Sequence, residues 1–401
     1  MINFNPLSSL YRSRPMINIR RGFFFTIIAT SVVVIAFFSG YFVHAFVNQG
    51  ENNYPILDEA YDILTTRGLY PAPSPPALEY GMIKGMLQAY DDPYTTFVEP
   101  VQHELESDNL QGSYGGIGIY LSRSQSGEII LTPYPGSPAS RAGLLEGDTL
   151  IAVDDIQIKP SMDIDTILAL IRGPKGEKVV LKIIHPPDPV TKQFSIIRES
   201  ISLPSVIWYK DPDQPLVGVI KVNIIAASSP EEILKAVADL QSRDNASIIL
   251  DLRDNGGGLV DSGIEISRLF LSEGIIIQQK FIDEEVETYE VEKPGSLTEM
   301  PLAVLINHGT ASAAEIIAGA LKAHHRATLI GMPTFGKDTI QLVYDLEDGS
   351  SLHVTAARFW IPDLVPPLEG NGVQPDVTVE DTSSGSDTAI SAAVKILMDD
   401  Q

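Results

Sequence analysis

Three stretches of this sequence set reactive side chains beside backbone that can serve them. In Asn307-His308-Gly309-Thr310-Ala311-Ser312-Ala313-Ala314-Glu315-Ile316, the apolar run Leu302–Ile306 gives way near Ser312 to a helical pattern. Small neighbours leave a hydroxyl accessible there. The first N–H groups of a helix have no acceptor within it and offer partial positive charge to an oxyanion. In Pro333-Thr334-Phe335-Gly336-Lys337-Asp338-Thr339-Ile340-Gln341, the amine of Lys337 sits in a turn of otherwise small and apolar residues. In Leu250-Asp251-Leu252-Arg253-Asp254-Asn255-Gly256-Gly257-Gly258, an apolar strand turns through three glycines toward a helix. Loops at the carboxyl end of a strand commonly border the ligand site of an open sheet, and glycine N–H groups can help form an oxyanion hole. A hydroxyl, an amine and open amides are the parts of attack on a carbonyl.

Each part also has a plainer reading. Serine often caps a helix, and a turn lysine can be a solvated charge. Asp251 and Arg253 fit a charge pair that steadies their loop. His308 lies too close along the chain to Ser312 for good Ser/His geometry. Adjacent His324 and His325 point to different faces of a helix with no carboxylate spaced for ligation, so no metal site is expected. No cofactor is implied. The chain has no cysteine, which excludes disulfides and a thiolate nucleophile.

The elements that must position these groups alternate. Val217–Asn223, Ser247–Leu252, Leu302–Ile306 and Thr328–Ile330 read as strands; Val260–Leu271 and Ala313–Ala323 read as helices. A further helix opens at Ser229-Pro230-Glu231-Glu232, with Ser229 as N-cap and Glu232 completing a capping box. Such alternation predicts an α/β class, a mainly parallel or mixed sheet covered by helices. Asp58–Arg67 and Ala77–Tyr90 are helix candidates upstream, and Asp387–Met398 is an amphipathic helix after the loop Thr382–Ser386.

Residues 112–186 have a different character. Gly112-Ser113-Tyr114-Gly115-Gly116-Ile117-Gly118-Ile119 leads into alternating strand residues, followed by Ser137-Pro138-Ala139-Ser140-Arg141-Ala142-Gly143-Leu144 and Glu146-Gly147-Asp148. Ile164–Ile171 reads as a helix and Val179–Ile184 as a strand. The succession resembles a PDZ domain. That resemblance implies a loop, Tyr114, Gly115, Gly116, Ile117 and Gly118, whose N–H groups hold a peptide carboxylate while the peptide adds a strand to a sheet edge. No Gly-Lys-Ser/Thr follows, so the glycines are a poor phosphate loop.

Charge is unevenly spread. The 401 residues carry 28 Lys and Arg against 52 Asp and Glu, a net charge of −24. The first 50 residues hold four arginines, Arg12, Arg14, Arg20 and Arg21, and no acidic residue, which leaves −28 for the rest. That acidity argues against a nucleic-acid partner. Gly22–Val47 is a run of 26 mainly apolar residues, against the roughly 20 a membrane-crossing helix needs. The preceding arginines predict a cytoplasmic amino terminus and an extracytoplasmic body, with the segment either kept as an anchor or cleaved after Ala45.

Taken together, the three reactive segments resemble the carboxyl-terminal processing peptidases, or tail-specific proteases. The resemblance covers residues 55–400, including Asp92-Pro93-Tyr94, the PDZ insertion and Gly372-Val373-Gln374-Pro375-Asp376-Val377. It implies a multidomain α/β (α+β) protein with a crotonase-like core. It places the nucleophile on Ser312, the general base on Lys337 25 residues later, and the third member of the set on Gln341. It implies an oxyanion hole from the N–H of Ala313 and of Gly257 or Gly258. A lysine with an ordinary pKa of about 10.4 can act as a base only when burial lowers that value. Asp338 stands where the family has glycine, and a carboxylate beside the base would weaken it unless it points to solvent. The implied substrate is a polypeptide with a free carboxyl terminus, and a homo-oligomer stays open. The expected plan is a basic tail at 1–21, a transmembrane helix at 22–47, a helical region at 52–110, a PDZ domain at 111–200, a serine peptidase core at 201–380, and a linker and helix at 381–401. The rival from another class is a binding protein on the same scaffold, which the presence of both Ser312 and Lys337 disfavours.

Overall fold

The computed structural model describes residues 54–185, 188, 190–243, 247–380 and 387–399. The expected basic tail, membrane helix and 382–386 loop lie outside the described residues. Among the described residues, no helix is long and apolar enough to cross a membrane. The chain divides into two compact units, residues 1–78 and 79–401. In the first, helix Pro55–Arg67 opens on proline, whose missing N–H costs nothing at that position, and buries none of its residues.

Helix Pro75–Tyr90 runs across the division, and helix Pro100–Gln111 follows in the second unit, ending where Gly112 turns left-handed with φ 73°. The sequence Pro-Val-Gln-His-Glu-Leu-Glu-Ser-Asp-Asn-Leu-Gln has no continuous apolar stripe, so its period is not visible without the fold.

The chain then builds a six-stranded antiparallel sheet in which Ile119–Arg123, Ile129–Pro133, Asp148–Val153, Lys178–Ile184 and Thr191–Ile197 are neighbours in that order. Along Lys178–Ile184 the buried residues alternate, Val179, Leu181 and Ile183, and they pack with Ile167 and Ile171 of helix Ile164–Ile171. Burial of each such side chain stabilises by about 1.5–3 kcal/mol. That helix starts where it does because the Asp163 carboxylate accepts the Thr166 N–H at 2.7 Å. Ser113–Gly116 and Glu199–Ser202 pair as an antiparallel ribbon where the chain enters and leaves this domain.

The remaining core is a six-stranded sheet ordered Val206–Lys210, Val217–Val222, Ser247–Asp251, Leu302–Ile306, Thr328–Gly331 and Val377–Thr378. The first pair is antiparallel and the others parallel. Its central strands Ser247–Asp251 and Leu302–Ile306 are buried along their whole length because both faces are covered. Ile220, Leu250, Val304 and Leu329 face helices Ser229–Gln241, Val260–Phe270 and Ala313–Ala323. Their alternates Val219, Ile249, Leu305 and Ile330 face Ala389, Ala393 and Leu397 of helix Thr388–Asp399. The capping box expected at Ser229 does not form. Ser228 is the N-cap, and Glu232 turns instead to the N–H groups of Ser205 and Val206 at 2.8 and 3.0 Å. The backbone of a neighbouring strand outcompetes the local cap.

A second, five-stranded sheet is built around the long strand Ser351–Trp360, which pairs with Thr96–Val98, Ile275–Phe281 and Thr339–Asp345. The last of these follows Lys337 directly, so this sheet carries the amine toward the first sheet's helix ends.

Candidate active site

Ser312 stands between strand Leu302–Ile306 and helix Ala313–Ala323, at φ 54° and ψ −121°. A residue with a side chain pays about 1–3 kcal/mol for such a conformation. The turn is held against that cost from several sides. The fully buried Thr310 donates from Oγ1 to the Leu252 carbonyl at 2.8 Å, and the Ala311 N–H donates to the Asn255 carbonyl at 2.9 Å. The Asn307 side chain ties in Asp254, accepting its N–H at 3.0 Å and donating to its carboxylate at 2.9 Å.

The glycine loop lies against Ser312. A Cβ at Gly257 would come within 2.8 Å of the Ser312 Cβ, and Gly257 itself has φ 106°. Two demands, space and a left-handed backbone, therefore fall on one residue. The Gly257 N–H is already engaged: it donates to Asn255 Oδ1 at 2.9 Å, while the buried Asn255 amide donates to the Val222 carbonyl at 2.8 Å. The N–H groups of Gly258 and Ala313 have no acceptor among the described residues. Of the two glycines expected at an oxyanion hole, Gly258 has the open amide and Gly257 gives shape.

Glu315 joins the serine turn to the lysine turn. Its fully buried carboxylate accepts the Ser312 N–H at 2.9 Å, the Thr334 hydroxyl at 2.5 Å, the Gly336 N–H at 2.6 Å and the Lys337 N–H at 3.0 Å. Burial pushes its pKa above the ordinary value, against the pull of these four donors.

The half-buried Lys337 donates from Nζ to Gln341 Oε1 at 2.6 Å and stands 4.9 Å from the centre of the Tyr94 ring. Gln341 in turn donates to the Tyr94 carbonyl. Burial lowers the Lys337 pKa below the usual lysine value, opposed by the more distant charges of Asp92 and Glu315. Asp338 does not weaken this: its carboxylate accepts from Arg358 at 3.0 Å. Among the described residues there is no hydrogen bond between Ser312 and Lys337, yet both line one cavity of about 600 Å³ together with Gln341, Gly256 and Gly258.

The five residues expected at the peptide-binding loop divide. Tyr114, Gly115 and Gly116 pair with Ile201, Ser200 and Glu199 in the ribbon. Tyr114 is buried under the Arg172 guanidinium at 4.2 Å. A Cβ on Gly115 would meet the Gly173 carbonyl at 2.1 Å. These positions join the PDZ domain to its surroundings. Ile117 and Gly118 lead into strand Ile119–Arg123, which stands at the end of its sheet with one edge unpaired among the described residues.

Arg253 pairs with Asp251 at 2.8 Å and with Asp387 at 2.7 Å, the charge pairing expected of that loop. Among the described residues, no group of three or more His, Asp or Glu side chains is placed to hold a metal ion. Sequence reasoning missed Asn255, Glu315 as a link between turns, and the Tyr94 carbonyl. The only local signal was Glu315 three residues after Ser312, a capping-box spacing.

Comparison with known proteins places the chain in a family. The family model "Peptidase family S41" matches residues 216–379 and the model "PDZ domain" residues 129–184. A carboxyl-terminal-processing protease of Synechocystis sp. is 34% identical over 79% of this chain and 76% of its own length. The carboxy-terminal processing protease CtpA of Bacillus subtilis is 33% identical over 82% of this chain and 70% of its own. Among solved structures, a photosystem II D1 C-terminal processing protease is 28% identical, with a TM-score of 0.46 over 84% of this chain and 90% of that one. The chain belongs to the carboxyl-terminal-processing proteases of peptidase family S41, and it is a serine-type peptidase with a PDZ domain acting on polypeptides.

Proposed function

We propose that this peptidase cuts polypeptides near their carboxyl terminus, with Ser312 as nucleophile and Lys337 as general base. One observation carries the assignment: a single buried carboxylate, Glu315, holds the backbone of both residues, and both side chains open on one cavity. The Ser312 Oγ forms a bond to the scissile carbonyl carbon as its proton passes to the neutral Lys337 Nζ. The oxyanion lies against the N–H groups of Ala313 and Gly258. The C–N bond then breaks as Lys337 returns the proton to the leaving amine. Water attacks the acyl-enzyme by the same route and restores the serine. Gln341, itself held by the Tyr94 carbonyl, keeps the amine in place without adding charge.

The PDZ domain captures the substrate tail on this reading. Support comes from the unpaired edge of Ile119–Arg123 beside Gly118, whose φ of 69° needs glycine. The apolar segment 22–47 and its four preceding arginines support an anchor that keeps the body outside the cytoplasm. The test of the chemistry is casein hydrolysis by the full chain compared with Ser312→Ala and Lys337→Ala. Both variants should fall to background while staying folded, and turnover by either would reassign the site. Membrane fractionation with protease protection of each end tests the anchor.

A further inference from the structure

One wall of the cavity is the end of a chain of polar side chains that the chemistry above does not use. His353, on strand Ser351–Trp360, lines the cavity with Ser312 and Lys337, and its side chain is 17% exposed. Its Nε2 lies 3.1 Å from Ser351 Oγ. Ser351 Oγ lies 2.9 Å from Nδ1 of His103, on helix Pro100–Gln111. His103 Nε2 lies 2.9 Å from Asp345 Oδ1, on strand Thr339–Asp345. Ser351 is fully buried, whereas the Asp345 side chain is 82% exposed. Three elements thus connect the cavity to solvent through four side chains.

The proton count along this chain leaves two arrangements. Ionised Asp345 only accepts, so His103 carries a proton on Nε2. When His103 is otherwise neutral, its Nδ1 accepts the Ser351 O–H. The Ser351 oxygen then accepts from His353 Nε2–H, and His353 Nδ1 is left as a bare lone pair. When His103 gains one proton on Nδ1, that N–H donates to Ser351. The Ser351 oxygen could accept from both rings, but its own buried O–H would then have no acceptor among the described residues, so the O–H swings to His353 Nε2 and the single proton of His353 sits on Nδ1. His353 Nδ1 has no partner among the described residues, which leaves it for a ligand.

We propose that Asp345, His103, Ser351 and His353 form a proton relay that sets whether His353 Nδ1 accepts from, or donates to, the peptide in the cavity. With His103 neutral, Nδ1 accepts a substrate N–H or O–H; with His103 protonated, it donates to a substrate carbonyl or carboxylate. An extended peptide offers both kinds of group, so the relay selects which one is held, and His353 is a positioning residue. This rests on the cavity being the peptide site. The charges facing His353 disfavour an extra proton on its own ring. Burial, His103 and Lys337 disfavour charge on His353, and only Glu106, 4.0 Å from Nε2, favours it; its pKa lies below the usual histidine value. The two rings stand edge to face at 6.3 Å, close enough for one charge to oppose a second. Asp345 balances the charge on His103 from the solvent side.

The test is long-range 1H–15N spectroscopy of the full Ser312→Ala chain labelled at its 7 histidines, across the histidine range of about pH 5 to about pH 8. His353→Gln and His103→Gln assign the signals. The expected result is His353 protonated on Nε2 at the upper end and on Nδ1 at the lower, with exchange between the two tautomers across the range. Ser351→Ala, or independently His103→Gln, should fix His353 in one tautomer at every pH. A single tautomer throughout in the parent chain, or exchange that survives both breaks, overturns the relay. These spectra use an inactive chain, so they report on the relay even if the Ser312 and Lys337 roles fail. In the active chain, His353→Phe should raise KM for a peptide about three- to tenfold, the worth of one hydrogen bond, with kcat nearly constant. An unchanged KM removes the substrate contact.

Discussion

The amine of Lys337 donates to Gln341 Oε1 at 2.6 Å, and Gln341 is in turn anchored on the Tyr94 carbonyl. The neutral amide gives the amine a fixed acceptor without favouring its protonated form as a carboxylate would. Gln341→Glu should therefore raise the Lys337 pKa, because a carboxylate favours the charged amine. Each unit removes about tenfold of the neutral amine below that pKa. The kcat/KM of Gln341→Glu should fall at neutral pH and recover on the alkaline side, and a profile that drops without shifting would show a steric effect instead.

The lowered pKa of Lys337 has a stability consequence whose sign can be worked out. The folded state holds the lysine proton less tightly than the unfolded state, so the unfolded chain binds more protons and stability rises with pH through the interval between the depressed value and the ordinary 10.5. Lys337→Met should abolish turnover and raise the thermal midpoint at neutral pH, and its advantage should shrink as the pH approaches the ordinary value. In the parent enzyme the rate should climb with pH through the same depressed lysine pKa. A rate centred on a histidine pKa would contradict the assignment.

Gly257→Ala tests the shape of the serine turn. The new methyl would meet the Ser312 Cβ at 2.8 Å and hold alanine at φ 106°. Displacing the nucleophile by about 1 Å can cost about a hundredfold in rate. kcat should fall by about that factor with the fold retained by circular dichroism, and near-normal kcat would mean that the loop gives way harmlessly.

Glu315→Gln keeps the size of the buried link but replaces one acceptor oxygen with a donor. Its four partners all donate, so at least one N–H or O–H is left facing another donor. Denaturant melts should show a loss of about 1–3 kcal/mol, and kcat should fall with little change in KM because both turns loosen together. Parent-like stability would mean that Glu315 is already protonated in the native state.

Much of this arrangement was legible before the fold was seen. The strand runs Leu302–Ile306 and Ser247–Asp251 are uninterrupted because they are buried on both faces, and the spacing of Ser312, Lys337 and Gln341 survives as a shared cavity. What stayed hidden depends on distant side chains. Which glycine keeps an open amide is decided by where Asn255 points. The role of Glu315 spans 22 residues to Lys337, and Gln341 finds its acceptor 247 residues upstream at Tyr94. The PDZ resemblance places Tyr114 and Gly115 in a binding loop, and local pattern gave no sign that they also pair with residues 199–202 in the ribbon. Local pattern records what a segment can do alone; these residues are assigned by what meets them.

The Glu315 carboxylate also fixes which walls of the cavity can move. Shifting either the serine turn or the lysine turn breaks hydrogen bonds to a buried anion, so Ser312, Gly336 and Lys337 travel as one rigid body. Glu106, Asn109 and Leu110, on helix Pro100–Gln111, line the same cavity from the other side and make no bond to that anion. Widening or narrowing of this site is therefore left to walls such as these, with the chemistry as the fixed post.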